Sequence, residues 1–481
     1  MAGERKKVVK NYIYNLTYQI LTLILPIITT PYLARVLGAE GTGIYSYTFS
    51  ITTYFILFGS LGVALYGQRE IAYAQDNPSV RKRKFLEIVS FRFITIAIAI
   101  IVFVFAFVRQ GELAIYYKIL LLELIAGAFD ISWFFQGLEE FKKTVTRNIL
   151  VRLVSVTCIF IFVKERSDLE KYIFIYSLAD LIGNLSLWLY LPKYLKGIKV
   201  EKLYITQNIP QILLLFIPQV SNQLYKILDT TMLGTIIKDK AETGYYEQSQ
   251  KVIRLLLTLV TSLGVVMLPR MANTFAKGDK KQIKEYMIRS LKFTSLLAFP
   301  MMFGIAAVAQ EFVPIFFGDG YDKVVLLIRI MCPIIILMGF ANIIGTQYLV
   351  PVKRNKEYTI SILVGLIANF FMNYFMIHAW QSLGASIATV LSQLLIDIVQ
   401  LYMVRDVLNV KEVIKTSYKF LIAGLVMVVC CQLVGFLSTG IINVASQVAV
   451  GVVVYVGMLF ILKESYVTEF ATLIKNKIKK K

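Results

Sequence analysis

The chain has 481 residues, 57% of them hydrophobic, with a mean hydropathy of +0.67 and a formal net charge of +21. A soluble domain is about 45–50% apolar, so the composition excludes an ordinary soluble protein and points to an all-α, polytopic membrane protein. The basic residues punctuate apolar runs and form no stripe with exposed aromatics, which excludes a nucleic-acid groove and favours the positive-inside pattern.

The opening stretch, MAGERKKVVKNY, is basic and runs into an apolar span with no small-residue cleavage site, so a retained first helix is expected. With about 20 apolar residues to a span, about 14 transmembrane helices are predicted. They lie near 12–33, 43–65, 89–108, 115–135, 147–164, 171–191, 209–236, 246–269, 291–313, 324–348, 359–378, 384–404, 419–437 and 443–463. Of the 51 Lys and Arg residues, 37 lie in the termini and in connections on one side, and 9 in the connections on the other. That asymmetry places both termini in the cytoplasm of a cell membrane. Every connection is short, which leaves no room for the external domain expected of a polysaccharide polymerase or ligase.

The chain also repeats itself. SLGVALYGQRE at 60–70 echoes SLGVVMLPRMA at 262–272, TGIY at 42–45 echoes TGYY at 243–246, and LPIIT at 25–29 stands where FIPQV stands at 216–220. A repeat of six spans enters the membrane from the same side each time, so two parallel lobes related by an axis along the membrane normal are expected. The expected division is a six-helix lobe over 1–200, a second over 201–410, and an extra helix pair with a basic cytoplasmic tail over 411–481. A cleft between the lobes suits alternating access.

Charges within the spans are the candidate functional groups, because each costs about 2.5–3.5 kcal/mol at a helix centre. Lys226 and Asp229 are three residues apart in SNQLYKILDTTMLG and share a helical face. They either pair structurally or line the cleft, where Asn222 and the neighbouring Gln219, Ser221 and Gln223 add polarity and Pro218 loosens the helix. Lys251 and Arg254 repeat the same spacing; Arg35 follows the first span and Arg329 lies in the tenth. Basic groups in a cleft suit a phosphate or carboxylate cargo. Asp130 and Asp397 are the candidate carboxylates for cation coupling, with a structural ion pair as the alternative. Arg92 and Arg152, near span ends, are read as snorkelling to the interface, and Trp133, Trp188 and Trp380 as an aromatic belt. The tail KNKIKKK is read as a contact with anionic lipid headgroups.

Cys158, Cys332, Cys430 and Cys431 lack zinc or disulfide spacing, and His378 is the one histidine. No Walker A, GxSxG, CxxC or phosphate-cradling glycine loop is present. No metal or cofactor is therefore expected, nor an enzyme, and coupling to H+ or Na+ stays open.

The run NYIYNLTYQILTLILPIITTPYLARVLGAEGTGIYSYTFSI at 11–51, with ISWFFQGLEEFK at 131–142 and YKILDTTMLG at 225–234, resembles the bacterial polysaccharide repeat-unit (Wzx-type) flippases. These belong to the multidrug/oligosaccharidyl-lipid/polysaccharide exporter superfamily, and the likeness covers roughly the first 400 residues. It implies transfer of undecaprenyl-pyrophosphate-linked oligosaccharides between leaflets for surface polysaccharides such as capsule. Membrane lipids would be neighbours, and polysaccharide polymerase and glycosyltransferases would be pathway partners. It also implies that Lys226 and Arg254, with Arg35 or Arg329, meet the pyrophosphate. Two spans beyond twelve resemble lipid II flippases, which keeps lipid II and teichoic-acid precursors as alternatives. A multidrug–cation antiporter of the same superfamily would prefer an acidic cleft.

Overall fold

A computed structural model of the chain describes residues 2–199, 202–437, 439–464 and 466, with side chains outside 2–20, 217–219, 221–222 and 265–266. All regular structure among the described residues is helical, as apolar segments must be where no water can satisfy the backbone. The chain forms two compact units, Met1–Gly244 and Tyr245–Lys481.

The first unit contains α1 (Ala2–Ser60), α2 (Val63–Tyr73), α3 (Pro78–Phe103), α4 (Ala114–Phe129), α5 (Ser132–Gly137), α6 (Phe141–Phe162), α7 (Leu169–Trp188), α8 (Pro192–Leu195) and α9 (Ile209–Ile236). The second unit takes in most of α10 (Lys240–Thr261), followed by α11 (Leu263–Ala276), α12 (Lys280–Phe317), α13 (Asp322–Met331) and α14 (Ile334–Ala341). It continues through α15 (Asn355–Met403), α16 (Val410–Gly435) and α17 (Gly440–Ile461). Ten helical stretches among the described residues are long and apolar enough to cross a membrane. Two of them bend at one non-helical residue: Gly38 (φ 70°) in α1 and Gln381 (φ 54°) in α15. α1 and α15 each run through two of the predicted spans, and α9 and α10 are helical over two more, while the count of fourteen crossings stays an expectation.

Local chemistry sets several boundaries. Asn77 accepts from the Val80 amide at 3.2 Å with Pro78 opening α3, and Asp279 accepts from Gln282 N at 2.9 Å to open α12. Asn409 and Glu412 form a reciprocal capping box at the start of α16. The echoed Ser-Leu-Gly motifs both mark a break in a helix: Leu61 and Gly62 have positive φ before α2, and Ser262 separates α10 from α11.

The connection before α7 is held by Asp168. Its carboxylate accepts from Lys171 Nζ at 2.6 Å and from the amides of Lys164 and Glu165 at 2.8 and 3.0 Å. The Lys171 bond foremost, then the two amides, pull its pKa down to about 2. A depressed carboxylate contributes stability above its unfolded pKa, about 3.9, and loses it as the pH falls through its folded value. The thermal stability of wild type should therefore exceed that of Asp168→Asn at neutral pH, and the gap should close as pH drops from about 4 to about 2. Melting curves of both proteins across that range test this.

A tight core closes one end of the first unit around Trp133, Phe134, Phe135, Phe85 and Ile71. Trp133 is fully buried, donates Nε1 to Asp130 O at 3.2 Å, and stacks on Phe85. It is a core residue, which corrects its reading as part of an aromatic belt: the bend between α4 and α5 turns it inward against Gly67. Trp188 is half-buried and donates to Phe129 O at 2.8 Å, while Trp380 is exposed.

In the second unit, α16 and α17 pair with each other and lie on α12. Phe299, Phe420, Met427, Cys431, Tyr455 and Leu459 form their shared core. Glu311 of α12 accepts the Gly440 amide at 2.9 Å, capping α17. At the other end Glu464, almost fully buried, meets Lys292 at 3.7 Å and Lys419 at 3.6 Å. The extra pair is thus fastened to the unit at both ends. The tail KNKIKKK lies outside the described residues.

Candidate functional site

A cavity of about 310 Å3 lies within the first unit between α1, α6 and α7. On the α1 side it is lined by Thr22, Leu25, Pro26, Thr29 and Leu33. Pro26 has no amide to donate to the preceding turn, and Thr29 turns its hydroxyl onto Leu25 O at 3.0 Å. The opposite walls come from Arg152 and Ser155 of α6 and from Tyr172 and Tyr176 of α7.

Arg152 gives the cavity its chemistry. Its Nη1 donates to the Tyr176 hydroxyl at 2.7 Å and its guanidinium lies 5.3 Å from that ring's centre. On α7, Tyr172, Tyr176 and Asp180 follow one another at i, i+4 and i+8, a single stripe. Asp180 lies in the fields of Arg152 and Arg147, and Glu123 of α4 in those of Asp180 and Arg152. Tyr45 of α1 sits edge-on to Tyr172 at 4.9 Å and to Tyr176 at 6.2 Å. The result is a cationic, hydroxyl-rich wall backed by carboxylates. Such a wall accepts an anionic oxygen ligand, and the backing charges keep the guanidinium from being buried uncompensated.

The reading of Arg92 and Arg152 as snorkelling side chains is corrected. Arg92 is 4% exposed; it donates Nε to Gly127 O at 2.7 Å and meets Asp130 at 3.6 Å. Arg152 turns inward because Tyr176, Asp180 and Glu123 compensate it. The sequence signal was available in the α7 stripe, whose tyrosines and carboxylate all face one way.

The other predicted residues are placed as follows. Asp130 accepts from the amide and hydroxyl of Ser132 at 2.9 and 2.6 Å and so starts α5, besides pairing with Arg92. Lys226 is exposed on α9, whereas Asp229, one turn on, is 5% exposed. The Asp229 carboxylate lies within electrostatic reach of Tyr54, whose hydroxyl also meets Thr231. Thr231 in turn bonds Ser50 at 2.9 Å, so this part of α9 is knit to α1. The side chain of Asn222, like those of Pro218, Gln219 and Ser221, lies outside the described residues. Arg35 is exposed near the bend of α1.

In the second unit, Lys251 and Arg254 are brought together around Glu247, which Arg254 meets at 3.4 Å. Arg329 is exposed and donates to Ala306 O at 3.3 Å. Asp397 is buried against Gln393 at 3.4 Å, in a polar seam along α15 that includes Asn369–Ser392 at 3.2 Å and Gln400–Ser361 at 3.1 Å. Among the described residues no group of three or more His, Cys, Asp or Glu could hold a metal ion.

The model of the family described as polysaccharide biosynthesis protein matches residues 8–275, more than half of the chain. The chain belongs to that family. A second model, MatE, matches residues 215–375 of this family member. The "Putative O-antigen transporter" of Escherichia coli (strain K12) is 24% identical over 402 residues, covering 82% of this chain and 96% of the relative. A solved "Lipid II flippase MurJ, inward closed conformation" superposes with a TM-score of 0.76 at 17% identity, covering 95% of this chain and all of that one. An inward-facing multidrug resistance transporter of the MATE family gives 0.61 at 12% identity, over 81% and 94%. The family member is thus a multi-pass membrane protein with the helical fold of these two solved transport proteins.

Proposed function

We propose that the protein translocates undecaprenyl-pyrophosphate-linked oligosaccharide units from the cytoplasmic to the outer leaflet of a bacterial cell membrane for surface polysaccharide synthesis. The observation that carries this reading is the Arg152 cavity inside a membrane bundle of a polysaccharide biosynthesis family member. A pyrophosphate needs charge-assisted donors, and Arg152, Tyr172 and Tyr176 supply them beside small hydroxyl-bearing residues of α1. The lipid tail stays among the exposed apolar side chains that line the outside of the helices, while the glycan passes through the protein.

In this reading both termini are cytoplasmic, and lobes over 1–200 and 201–410, with an extra pair over 411–481, exchange access to the two sides. Lys226, Asp229, Asn222, Arg35, Lys251, Arg254 and Arg329 belong to the cargo path, and Asp130 and Asp397 are candidates for cation coupling. Polymerase and glycosyltransferases act before and after transport. A lipid II or teichoic-acid precursor is the second reading, favoured by the superposition on a lipid II flippase; it changes the glycan but keeps the pyrophosphate. A cationic drug would meet like charge at Arg152.

The test is complementation of strains that lack their own repeat-unit flippase but make lipid-linked glycans of differing structure. Restored surface polysaccharide, with lipid-linked units cleared from the inner leaflet, is the expected result. Membrane-inserted protein that restores none of them, while excluding a drug from cells, would replace the reading with the antiporter.

A further inference from the structure

The connection from α7 to α9, residues 189–208, is held to the first unit from beneath. Tyr194, Leu195 and Ile205 pack on the core around Trp133 and Phe85. Lys82 donates to Ile198 O at 2.5 Å. The buried Glu87 accepts from the Tyr204 amide at 2.9 Å and from Asn208 Nδ2 at 3.0 Å. Tyr194 bonds both Glu140 and Lys143. Apart from 200 and 201, which lie outside the described residues, the backbone here is pinned along its length.

What the pinned backbone turns outward is basic and apolar together. Lys193, Lys196, Lys199 and Lys202 stand at every third position and are all exposed. Leu189 is 81% exposed, and Tyr190, Leu203 and Tyr204 are exposed beside them. The same stretch of sequence has one acid, Glu201. Neighbouring cations are spent inside the unit: Lys82 on Ile198 O, Lys84 on Glu87 at 3.5 Å, and Lys143 on Glu140 at 2.6 Å. Among the described residues no ion pair holds any of the four exposed lysines; Lys202 only leans on the Tyr204 ring, 5.8 Å from its centre. The segment follows directly on the apolar helix that ends at Trp188. At that depth a bare leucine suits the acyl boundary, and lysine stems reach the phosphate layer.

We propose that residues 189–204 form a docking surface for the headgroups of anionic bilayer phospholipids of the phosphatidylglycerol class, with Lys193, Lys196, Lys199 and Lys202 meeting the phosphates and Leu189 entering the acyl boundary. Each basic group close to an anionic membrane surface strengthens binding about fivefold. The row is preorganised, so little backbone order has to be gained when lipid binds. The segment joins the two sequence repeats, and lipid charge would therefore bear on the joint between them. The inference stands apart from the cargo reading, since it needs no ligand in the Arg152 cavity.

The test uses the full chain with Trp380→Phe, which leaves the half-buried Trp188 as the tryptophan next to the segment and Trp133 buried in the core. The protein is reconstituted in phosphatidylcholine bilayers, and phosphatidylglycerol or phosphatidylcholine with brominated chains is added to quench Trp188. Brominated phosphatidylglycerol should quench at a mole fraction at least about fivefold lower than brominated phosphatidylcholine, and added salt should narrow that gap. Replacing all four lysines by Gln should abolish the preference, while replacing all four by Arg should keep it, which a folding defect would not reproduce. Equal quenching by the two lipids, or a preference that survives the four Gln substitutions, would overturn the proposal. Loss of the preference on adding inorganic phosphate at constant ionic strength would overturn it as well, and make the row a site for free phosphate.

Discussion

Arg152→Ala is expected to reduce export of the lipid-linked glycan by about 10–100-fold at equal protein in the membrane, since a hydrogen bond to a charged group contributes about 1.5–3 kcal/mol. The loss has two sources. The cavity loses its cation, and Glu123 and Asp180 lose the guanidinium that compensates them. Arg152→Lys keeps the charge but not the planar fork that bonds Tyr176 while facing the cavity, so partial export is expected. The checking measurement is surface polysaccharide against inner-leaflet lipid-linked units in a complemented strain, with membrane levels matched by blot. Export by Arg152→Ala equal to that of wild type would remove this cavity from the transport path. A loss of folded protein without any intermediate phenotype in Arg152→Lys would mark the residue as structural.

The second large effect is expected at Gly43. The motifs TGIY and TGYY meet backbone to backbone within the first unit: a Cβ on Gly43 would lie 1.8 Å from the Lys240 carbonyl oxygen, and one on Gly244 2.0 Å from that of Ala39. Neither backbone can step aside. The neighbouring turn is pinned by Lys240, whose ammonium bonds the carbonyls of Gly234 and Ile237 and lies 4.5 Å from the centre of the Tyr47 ring. Overpacking a well-filled site costs about 1–3 kcal/mol, and a clash with immovable backbone should reach the top of that range or exceed it. Gly43→Ala should lower Tm and abolish export together. Combining it with Gly244→Ala should cost less than the sum of the two, because both variants open the same crossing. A normal Tm for Gly43→Ala would show that the two segments are not held this closely.

Both effects show how far the sequence could be read. The repeat was visible as TG-Y/TG-Y, but not that the two copies touch; a glycine in a helix reads as a packing or turn residue until its neighbour is known. Arg152 stood out as a charge near a span end, yet it read as a snorkelling residue. A span position says how deep a side chain starts, whereas the neighbouring helix decides whether it turns to the interface or inward. Trp133 was misread for the same reason, since its depth suited an interface and the bend after Asp130 took it into the core.

What the sequence determined by itself is the membrane class, the helical secondary structure, the family motifs and the basic asymmetry of the connections. These follow from hydropathy, local propensity and charge, which act over one to a few turns. What only the tertiary structure decided is which charges compensate one another. The pairing of Arg92 with Asp130, the sharing of Arg152 among Tyr176, Glu123 and Asp180, and the Gly43–Gly244 crossing all join residues far apart in the chain. Desolvation makes an inward charge costly unless a partner from another helix meets it, and partners from another helix have no periodicity in the sequence to announce them.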